Sequence, residues 1–121
     1  MFNSNQRTLL LKREAKYLNT QYKKGVLELC VLSMLYQRDC YGYDVSEYIA
    51  KRIDISDGTV YPILRKLKSD GLVTTYLSEE SGGPPRKYYR ITELGKSQYL
   101  SEKSEWLGFI KTVEELLEGD K

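Results

Sequence analysis

Residues 55–73 read ISDGTVYPILRKLKSDGLV, and this stretch decides how the chain folds. Its apolar residues recur at helical spacing: Val60, Ile63, Leu64 and Leu67. One face of a short helix is therefore buried. The opposite face carries Tyr61, Arg65 and Ser69, with lysines beside them. Small, hydroxylated and basic side chains on the outside of a short helix suit the major groove of DNA.

Both ends of this helix are marked by residues that favour helix termini. Ser56 or Asp57 offers a side-chain oxygen to the free backbone N–H groups at the start. Gly71 permits the left-handed backbone that ends many helices. Pro62 is the unfavourable residue, because a proline inside a helix removes one hydrogen bond. The sequence thus predicts a helix from about Ser56 to Gly71.

The residues before this helix predict a helix-turn-helix. Residues 26–37 are apolar nearly all round, which indicates a central buried helix. Residues 41–53 show helical periodicity again, after a polar turn at residues 38–40. A turn around residues 54–56 joins this helix to the stretch described above. Two short helices joined in this way place the second one to enter a DNA groove.

After Gly71 the sequence pattern becomes that of β-strands. Residues 72–78 and 86–92 are rich in Val, Thr, Tyr and Ile, and residues 79–85 supply a turn. A hairpin directly after a helix-turn-helix is a wing, and its second strand, residues 86–90 (RKYYR), suits contact with a DNA backbone. The alternative is a surface hairpin whose tyrosines pack on the core, as strand alternation requires of about half of them.

The N-terminal residues 4–22 predict an amphipathic helix. Its apolar residues at helical spacing are Leu11, Ala15, Leu18 and Tyr22. We favour a packing helix, because a charged outer face is ordinary for surface helices. A basic arm lying on DNA phosphate is the open alternative.

A long amphipathic helix is predicted from Glu93 to Leu117. Its apolar positions repeat with a period of seven: Tyr99, Trp106 and Val113, then Phe109 with Leu116 and Ile110 with Leu117. A small wing domain has little chain left to bury so much apolar surface, whereas two copies packed together bury it well. We therefore expect a homodimer in which Leu11 and Leu18 of the N-terminal helix also take part.

The composition suits one small globular domain, with a net charge of +2 over 121 residues. Residues 93–121 hold seven acidic and four basic residues, so any DNA-binding face is expected before them. We divide the chain into an N-terminal dimerisation helix at 1–23, a DNA-binding domain at 24–92 and a C-terminal dimerisation helix at 93–121. The expected fold class is mainly α with a small β-hairpin.

Several classes of function are made improbable by residues that the chain lacks. It has no histidine and only two cysteines, so we expect no metal site, no cofactor and no catalytic residues. No signal pattern begins the sequence, and the longest mainly apolar stretch is too short to span a bilayer. We expect a cytoplasmic protein that is not an enzyme and has no membrane partner.

Over residues 24–118 the chain resembles the PadR family of transcriptional regulators. Three motifs carry the resemblance: YGYDV at 41–45; SDGTVYP at 56–62 with RKL at 65–67 and DGLV at 70–73; and GG at 82–83 followed by RKYYRITELG at 86–95. The three in this order and spacing are specific. The single C-terminal helix is similar to that of the shorter-tailed branch, which includes multidrug-sensing repressors.

The resemblance implies a homodimeric winged helix-turn-helix that binds a palindromic double-stranded operator. It implies the following DNA contacts: Ser56, Thr59, Tyr61, Arg65 and Lys66 on the reading helix, Arg86 and Lys87 on the wing, and Tyr43 near the second helix. Arg65 is the strongest candidate for reading bases, because its fork of donors can bind a guanine edge at two points. The alternative for Arg65 is a solvated side chain.

Trp106 is the candidate residue for an effector. In drug-sensing relatives a tryptophan on the last helix stacks on flat aromatic ligands, and Trp106 stands at that position. The resemblance thus implies that a planar aromatic compound binds at Trp106, with Phe109 and Ile110 beside it, and releases a repressor. Packing at a dimer interface is the alternative for Trp106.

Two other functions stay open at this stage. A winged helix can serve as a protein–protein module without reading DNA, in which case the basic residues need not share a surface. A DNA-binding regulator without any effector would leave Trp106 as part of a packed interface.

Overall fold

In the computed structural model, residues 5–6, 26–79 and 82–119 are described. The elements in chain order are α1 (residues 26–37 of the described chain), β1 (Cys40–Tyr41), α2 (Gly42–Arg52), a 3-10 turn (Asp57–Thr59), α3 (Val60–Ser69), β2 (Val73–Ser78), β3 (Arg86–Ile91) and α4 (Glu93–Glu118). Helices α2 and α3 form the helix-turn-helix, and β2 and β3 form the wing. The predicted winged helix-turn-helix is confirmed.

The sheet has three strands, one more than the sequence predicted. It is antiparallel in the order β1-β3-β2, and β1 pairs Cys40 with Tyr89 and Tyr41 with Tyr88. Residues 38–40 were expected to form a polar turn, but Cys40 is buried in β1. A strand of two residues is too short to show alternation, so sequence periodicity could not reveal it.

One hydrophobic core lies between the helices and one face of the sheet. It contains the four apolar residues predicted to be buried on α3, all of which are buried, together with residues of α1, α2 and the sheet. The other buried apolar side chains of this core are Leu27, Val31, Leu32, Leu35, Cys40, Val45, Ile49, Leu72, Val73, Tyr89, Ile91 and Tyr99. Helix α3 is thus held on its apolar face, and its polar face is left to solvent.

Helix α3 begins later than expected. Its first residue is Val60, so Pro62 lies in the first turn, where a backbone N–H has no helical partner to lose. Ser56 instead precedes the 3-10 turn and caps no backbone group; its Oγ lies 2.9 Å from Oγ1 of Thr59. The end of the helix was predicted correctly, because Gly71 adopts the expected left-handed backbone, with a φ of +76°.

Helix α4 is fastened to the winged domain at its first turns. Oγ1 of Thr92 accepts a hydrogen bond of 3.0 Å from the Gly95 N–H and donates one of 2.8 Å to the Gly71 carbonyl. Gly95 is buried so closely that a Cβ there would overlap the carbonyl oxygen of Leu72. The cap and the glycine together fix the direction in which α4 leaves the domain.

The prediction for Tyr99 needs a correction, because this residue was expected at a dimer interface. Its side chain is only 6% exposed, its ring centroid lies 4.9 Å from that of Tyr36, and its hydroxyl is 3.3 Å from Oγ of Ser33. It therefore packs on α1 inside the protomer core. The predicted N-terminal helix, with Leu11 and Leu18, lies outside the described residues except for positions 5–6.

Candidate nucleic-acid interface

A groove lies where the start of α2, the polar face of α3 and the wing strand β3 meet. We call it the reading groove; its volume is about 320 Å³, and its lining residues are Tyr41, Gly42, Tyr43, Tyr61, Arg65, Lys87 and Tyr89. Four of the eight residues predicted to contact DNA are among them: Tyr43, Tyr61, Arg65 and Lys87. Three separate parts of the sequence are thereby brought to one concave surface.

Gly42 and Tyr89 shape this groove, although neither was singled out from the sequence. A Cβ on Gly42 would lie 3.0 Å from Cε1 of Tyr89 and 3.8 Å from Cε1 of Tyr61. Glycine therefore lets the two rings approach the start of α2. The sequence shows the glycine between Tyr41 and Tyr43, but the need for a glycine at that position depends on Tyr89, in a strand about 50 residues away.

The tyrosine hydroxyls of the groove are suited to donate hydrogen bonds. Burial raises the pKa of Tyr61 above its ordinary value, and the neighbouring Tyr41 and Tyr43 raise it further. Burial also raises the pKa of Tyr89, an effect that nearby Arg65 opposes. Both hydroxyls consequently keep their protons at neutral pH, and a protonated phenol can donate to a phosphate oxygen.

Arg65 presents its guanidinium group to the groove from the exposed face of α3. Among residues 26–79 and 82–119, no carboxylate lies within 4.0 Å of it. A guanidinium without a carboxylate partner keeps its fork of donors available for an acceptor edge. Arg65 is therefore exposed and lines the reading groove, and its role in reading bases stays a prediction.

Lys66 differs from its neighbour Arg65 in where it points. One helical step turns a side chain by about 100°. The Lys66 ammonium lies 3.0 Å from Oε1 of Glu28 on α1 and 3.3 Å from Oδ2 of Asp70. Its hydrogen bond with Glu28, followed by that with Asp70, raises the pKa of Lys66. The predicted DNA contact is thus turned towards α1 and away from the reading groove.

Ser56 and Thr59 lie beside the reading groove and do not line it. Ser56 precedes the 3-10 turn that leads into α3, Thr59 ends that turn, and their hydroxyl oxygens contact each other. Ser56 is exposed and Thr59 is half-buried. They stand at the N-terminal end of the reading helix, where hydroxyl groups and free backbone N–H groups both favour phosphate.

Arg86 and Lys87 point to opposite faces of the wing, because successive strand residues alternate. Lys87 joins Tyr89 at the reading groove, whereas Arg86 joins Tyr88 on the outer face of the sheet. The guanidinium of Arg86 lies 5.0 Å from the ring centroid of Tyr41. The two side chains thus leave β3 on opposite faces, although Arg86 packs on Tyr41, which also lines the reading groove.

The outer face of the sheet carries a row of aromatic rings across all three strands. Tyr41 and Tyr88 have ring centroids 6.1 Å apart, and Tyr88 stacks on Tyr76 at 5.7 Å. The Tyr76 hydroxyl donates a 2.7 Å hydrogen bond to Asp39, which also binds Arg90 at 3.0 Å. Cross-strand pairs of this kind stabilise a sheet, so this row stiffens the wing that supports Lys87.

Trp106 lines a second groove, between α1 and α4, on another side of the molecule. We call it the Trp106 groove; its volume is about 390 Å³, and it is lined by Val26, Glu28, Leu29, Glu102, Glu105, Trp106 and Phe109. The rings of Trp106 and Phe109 have centroids 6.0 Å apart. Two of the three predicted effector residues are thus together, and Ile110 is half-buried outside this lining.

The described part of the chain holds no group of three or more cysteine or acidic residues arranged to bind a metal ion. Within the same residues, no helix has the length and apolar character needed to cross a membrane.

Residues 31–101 match the Transcriptional regulator PadR-like family. Among sequence relatives, an uncharacterized protein of Lysinibacillus sphaericus is 35% identical over 101 residues, which cover 79% of this chain and 92% of that protein. The negative transcriptional regulator PadR of Bacillus subtilis is 27% identical over 86 residues, covering 68% of this chain and 45% of that protein.

Solved structures agree with this match. A PadR-like transcriptional regulator from Bacillus cereus is 38% identical with a TM-score of 0.76, covering 83% of this chain and 99% of that one. A PadR family transcriptional regulator from Eggerthella lenta is 29% identical with the same TM-score, covering 93% and 99%. The matched residues include α2, α3 and the whole wing. This chain belongs to the PadR-like family of transcriptional regulators.

Proposed function

We propose that this protein is a homodimeric repressor that binds a palindromic operator through α3 and the wing. The observation that carries the proposal is the reading groove, in which Tyr43, Tyr61, Arg65 and Lys87 converge from three segments. The groove combines phenol donors, a guanidinium group and an ammonium group. This mixture serves both to grip phosphate and to read base edges.

Each group of residues has a distinct role in this proposal. Arg65 reads a base edge in the major groove from the exposed face of α3. Tyr43 and Lys87 hold phosphates on either side of the helix, and Tyr61 supports Arg65. Ser56 and Thr59 approach the backbone at the start of α3, and Arg86 approaches it from the outer face of the wing. Lys66 is left out of the contact set, because Glu28 and Asp70 engage its ammonium group.

The dimer proposal is supported by the exposed apolar surface of α4. Leu107, Phe109, Leu116 and Leu117 are all more than half exposed, and Ile110 and Val113 are half-buried beside them. A second copy of α4 would cover this stripe by symmetric packing. The two α3 helices would then meet half-sites about one helical turn, roughly 34 Å, apart.

The effector and the direction of regulation complete the proposal. The Trp106 groove offers two aromatic rings to a planar compound, and binding there favours one dimer geometry over another. Repression is supported by the name of the Bacillus subtilis relative, a negative transcriptional regulator. We place the protein in the cytoplasm, where its operator is.

Fluorescence anisotropy of a labelled duplex from upstream of the protein's own gene tests DNA binding. The titration is run at several salt concentrations, beside a scrambled duplex of equal length. We expect tighter binding to the upstream duplex and a steep loss of affinity as salt rises, because phosphate contacts release counterions.

Two other results would change the conclusion. Equal and weak binding to both duplexes would leave the operator elsewhere and send the search to other promoters. Absence of binding even at low salt would contradict the proposal and favour a winged helix that binds another protein.

A further inference from the structure

Leu77 is an aliphatic side chain of the wing that the protomer leaves uncovered. It lies near the end of β2 and is 68% exposed. Among residues 26–79 and 82–119, the other exposed leucines all lie on α4. A single exposed leucine is ordinary on a protein surface. Whether Leu77 has a role therefore depends on what lies beside it and in which direction it points.

The strand register places Leu77 on the face of the wing that borders the reading groove. Leu77 pairs with Lys87 of β3, and directly opposed residues of an antiparallel pair point to the same face, with Cβ atoms about 5 Å apart. Lys87 lines the reading groove. In the strand order β1-β3-β2, Leu77 lies on the far side of Lys87 from β1. The leucine thus extends the proposed DNA-binding surface by one strand beyond the lysine.

A duplex held in the reading groove presents its minor groove to Leu77. In the proposed complex, α3 lies in the major groove and Lys87 holds a phosphate at its border. The sugar–phosphate backbone separates a major groove from the adjoining minor groove, so a side chain one strand beyond a phosphate contact reaches the minor groove. Leucine has neither a donor nor an acceptor for a base edge, and it can discriminate only by shape and by what it covers.

The chemistry of the minor groove determines which base pairs can accept a leucine. An A·T pair presents only the acceptors adenine N3 and thymine O2, whereas a G·C pair adds the N2 amino group of guanine. This amino group stands in the path of a side chain that enters the groove. A leucine that covers it also removes water from a donor without supplying an acceptor, which costs free energy. An A·T pair imposes neither penalty from an amino group.

We propose that Leu77 is a specificity-determining residue that selects A·T base pairs where the wing meets the minor groove of the operator. This inference rests on the proposed binding of DNA through α3 and the wing. Arg65 reads bases in the major groove, Lys87 holds the phosphate between the two grooves, and Leu77 excludes guanine from the minor groove. Each protomer thus reads the operator at two separate places.

The experiment begins with selection of duplexes from a library with a randomised centre, because selection does not require a known operator. The full-length protein, Leu77→Thr and Arg65→Ala are each used, and the bound duplexes are sequenced. Threonine suits a strand, and its hydroxyl can accept a hydrogen bond from guanine N2. Leu77→Ile keeps an apolar side chain at this position. Leu94→Thr is the matched control, since it removes an exposed leucine from α4.

We expect the unmodified protein to select symmetric half-sites with A·T pairs beside them. Leu77→Thr keeps the half-sites and loses the preference for A·T beside them, whereas Arg65→Ala relaxes the half-sites. Leu77→Ile and Leu94→Thr select the same duplexes as the unmodified protein. Circular dichroism of each variant confirms folding.

Modified bases then separate the minor groove from the major groove in anisotropy titrations. Replacement of adenine by 2,6-diaminopurine at the selected A·T pairs adds the N2 amino group and leaves the major-groove edge unchanged. We expect this change to weaken binding of the unmodified protein about 5- to 30-fold, the cost of a covered and unsatisfied donor. Inosine·C pairs at these positions lack the amino group and should bind as tightly as A·T. Leu77→Thr should bind all of these duplexes alike.

Other results would overturn the inference, and they differ in what else they overturn. If Leu77→Thr keeps the A·T preference, the preference does not come from Leu77, and the DNA-binding proposal stands. Uridine in place of thymine removes only a major-groove methyl group, so a loss of affinity with uridine and none with diaminopurine contradicts a minor-groove contact. A lower salt slope for Leu77→Thr indicates a lost phosphate contact in place of a lost apolar one. Failure of the unmodified protein to enrich any duplex contradicts both proposals.

Discussion

The winged domain buries its apolar residues within the protomer, whereas the last turns of α4 leave theirs exposed. In the winged domain, Val31 and Leu64 are fully buried, with no exposed surface. On α4, Leu116 and Leu117 are 75% and 81% exposed, although they belong to an equally regular helical pattern. Within the described residues, the protomer thus covers the apolar residues of one region and leaves those of the other uncovered.

The difference follows from where α4 is fastened. Its first two turns are bound by the Thr92 cap, the close fit of Gly95 and the packing of Tyr99 on α1. Of residues 110–118 of α4, none is buried and none lines the Trp106 groove. A region that completes its own core folds as a unit, whereas a region that does not requires a partner surface. The following mutations test this distinction.

The largest expected effect is that of Gly95→Ala on the winged domain. The added methyl group overlaps the Leu72 carbonyl oxygen and the Ile91 side chain, so α4 must shift away from β2. We expect a loss of about 3 kcal/mol in the free energy of unfolding, as for severe overpacking. Urea denaturation followed by circular dichroism measures it.

Gly108→Ala is the matched control, on the same helix with open space around the new methyl group. Alanine is the better helix former, so this variant gains up to about 1 kcal/mol. Equal destabilisation by both changes would show that α4 is not held at Gly95.

Leu116→Ser tests whether the exposed end of α4 is covered by a second copy. We expect the dimer to weaken by about 2–3 kcal/mol for each leucine that the interface loses, with little change in the fold of the protomer. Sedimentation equilibrium measures the dissociation constant. A control is Ser101→Ala, an exposed position on α4 outside the apolar stripe. An unchanged dissociation constant would contradict an interface at Leu116.

Arg65→Ala and Lys87→Ala separate base reading from backbone contact in the reading groove. We expect Arg65→Ala to cost about 1–3 kcal/mol of discrimination between operator and scrambled duplex. Lys87→Ala should weaken both duplexes alike and lower the salt slope by about one. Anisotropy titrations measure both quantities. If both variants lose affinity without a change in preference, the two roles have been assigned wrongly.

The smallest expected effect is that of Glu28→Gln on DNA binding. Removal of a negative charge near DNA favours binding by simple electrostatics. If Glu28 instead positions α3, its loss lowers operator affinity about 2- to 5-fold, as for an exposed ion pair. Glu105→Gln is the control, because it removes a groove carboxylate that has no ion pair with α3 among the described residues. A rise in affinity for Glu28→Gln would refute the positioning role.

The sequence by itself determined the helix-turn-helix, the wing and the extent of α4. These features depend on local patterns: apolar residues at helical spacing on α3, a glycine at position 71, and strand-forming residues around a turn. The same patterns marked Tyr61, Arg65 and Lys87, because exposed residues on a short helix and a basic strand are visible without knowing what faces them. Tyr43 was predicted only from the resemblance to the PadR family.

Only the tertiary structure decided which side chains share a surface. Strand β1 was missed because two residues carry no periodicity, and Gly42 gains its meaning from Tyr89, which is distant in sequence. Lys66 was grouped with Arg65, yet a turn of about 100° along the helix directs it to Glu28 on α1. Arg86 was grouped with Lys87, yet alternation along β3 places it on the other face of the strand, over the ring of Tyr41. The partner of a long side chain depends on which elements pack beside it, as the contact of Lys66 with Glu28 on α1 shows.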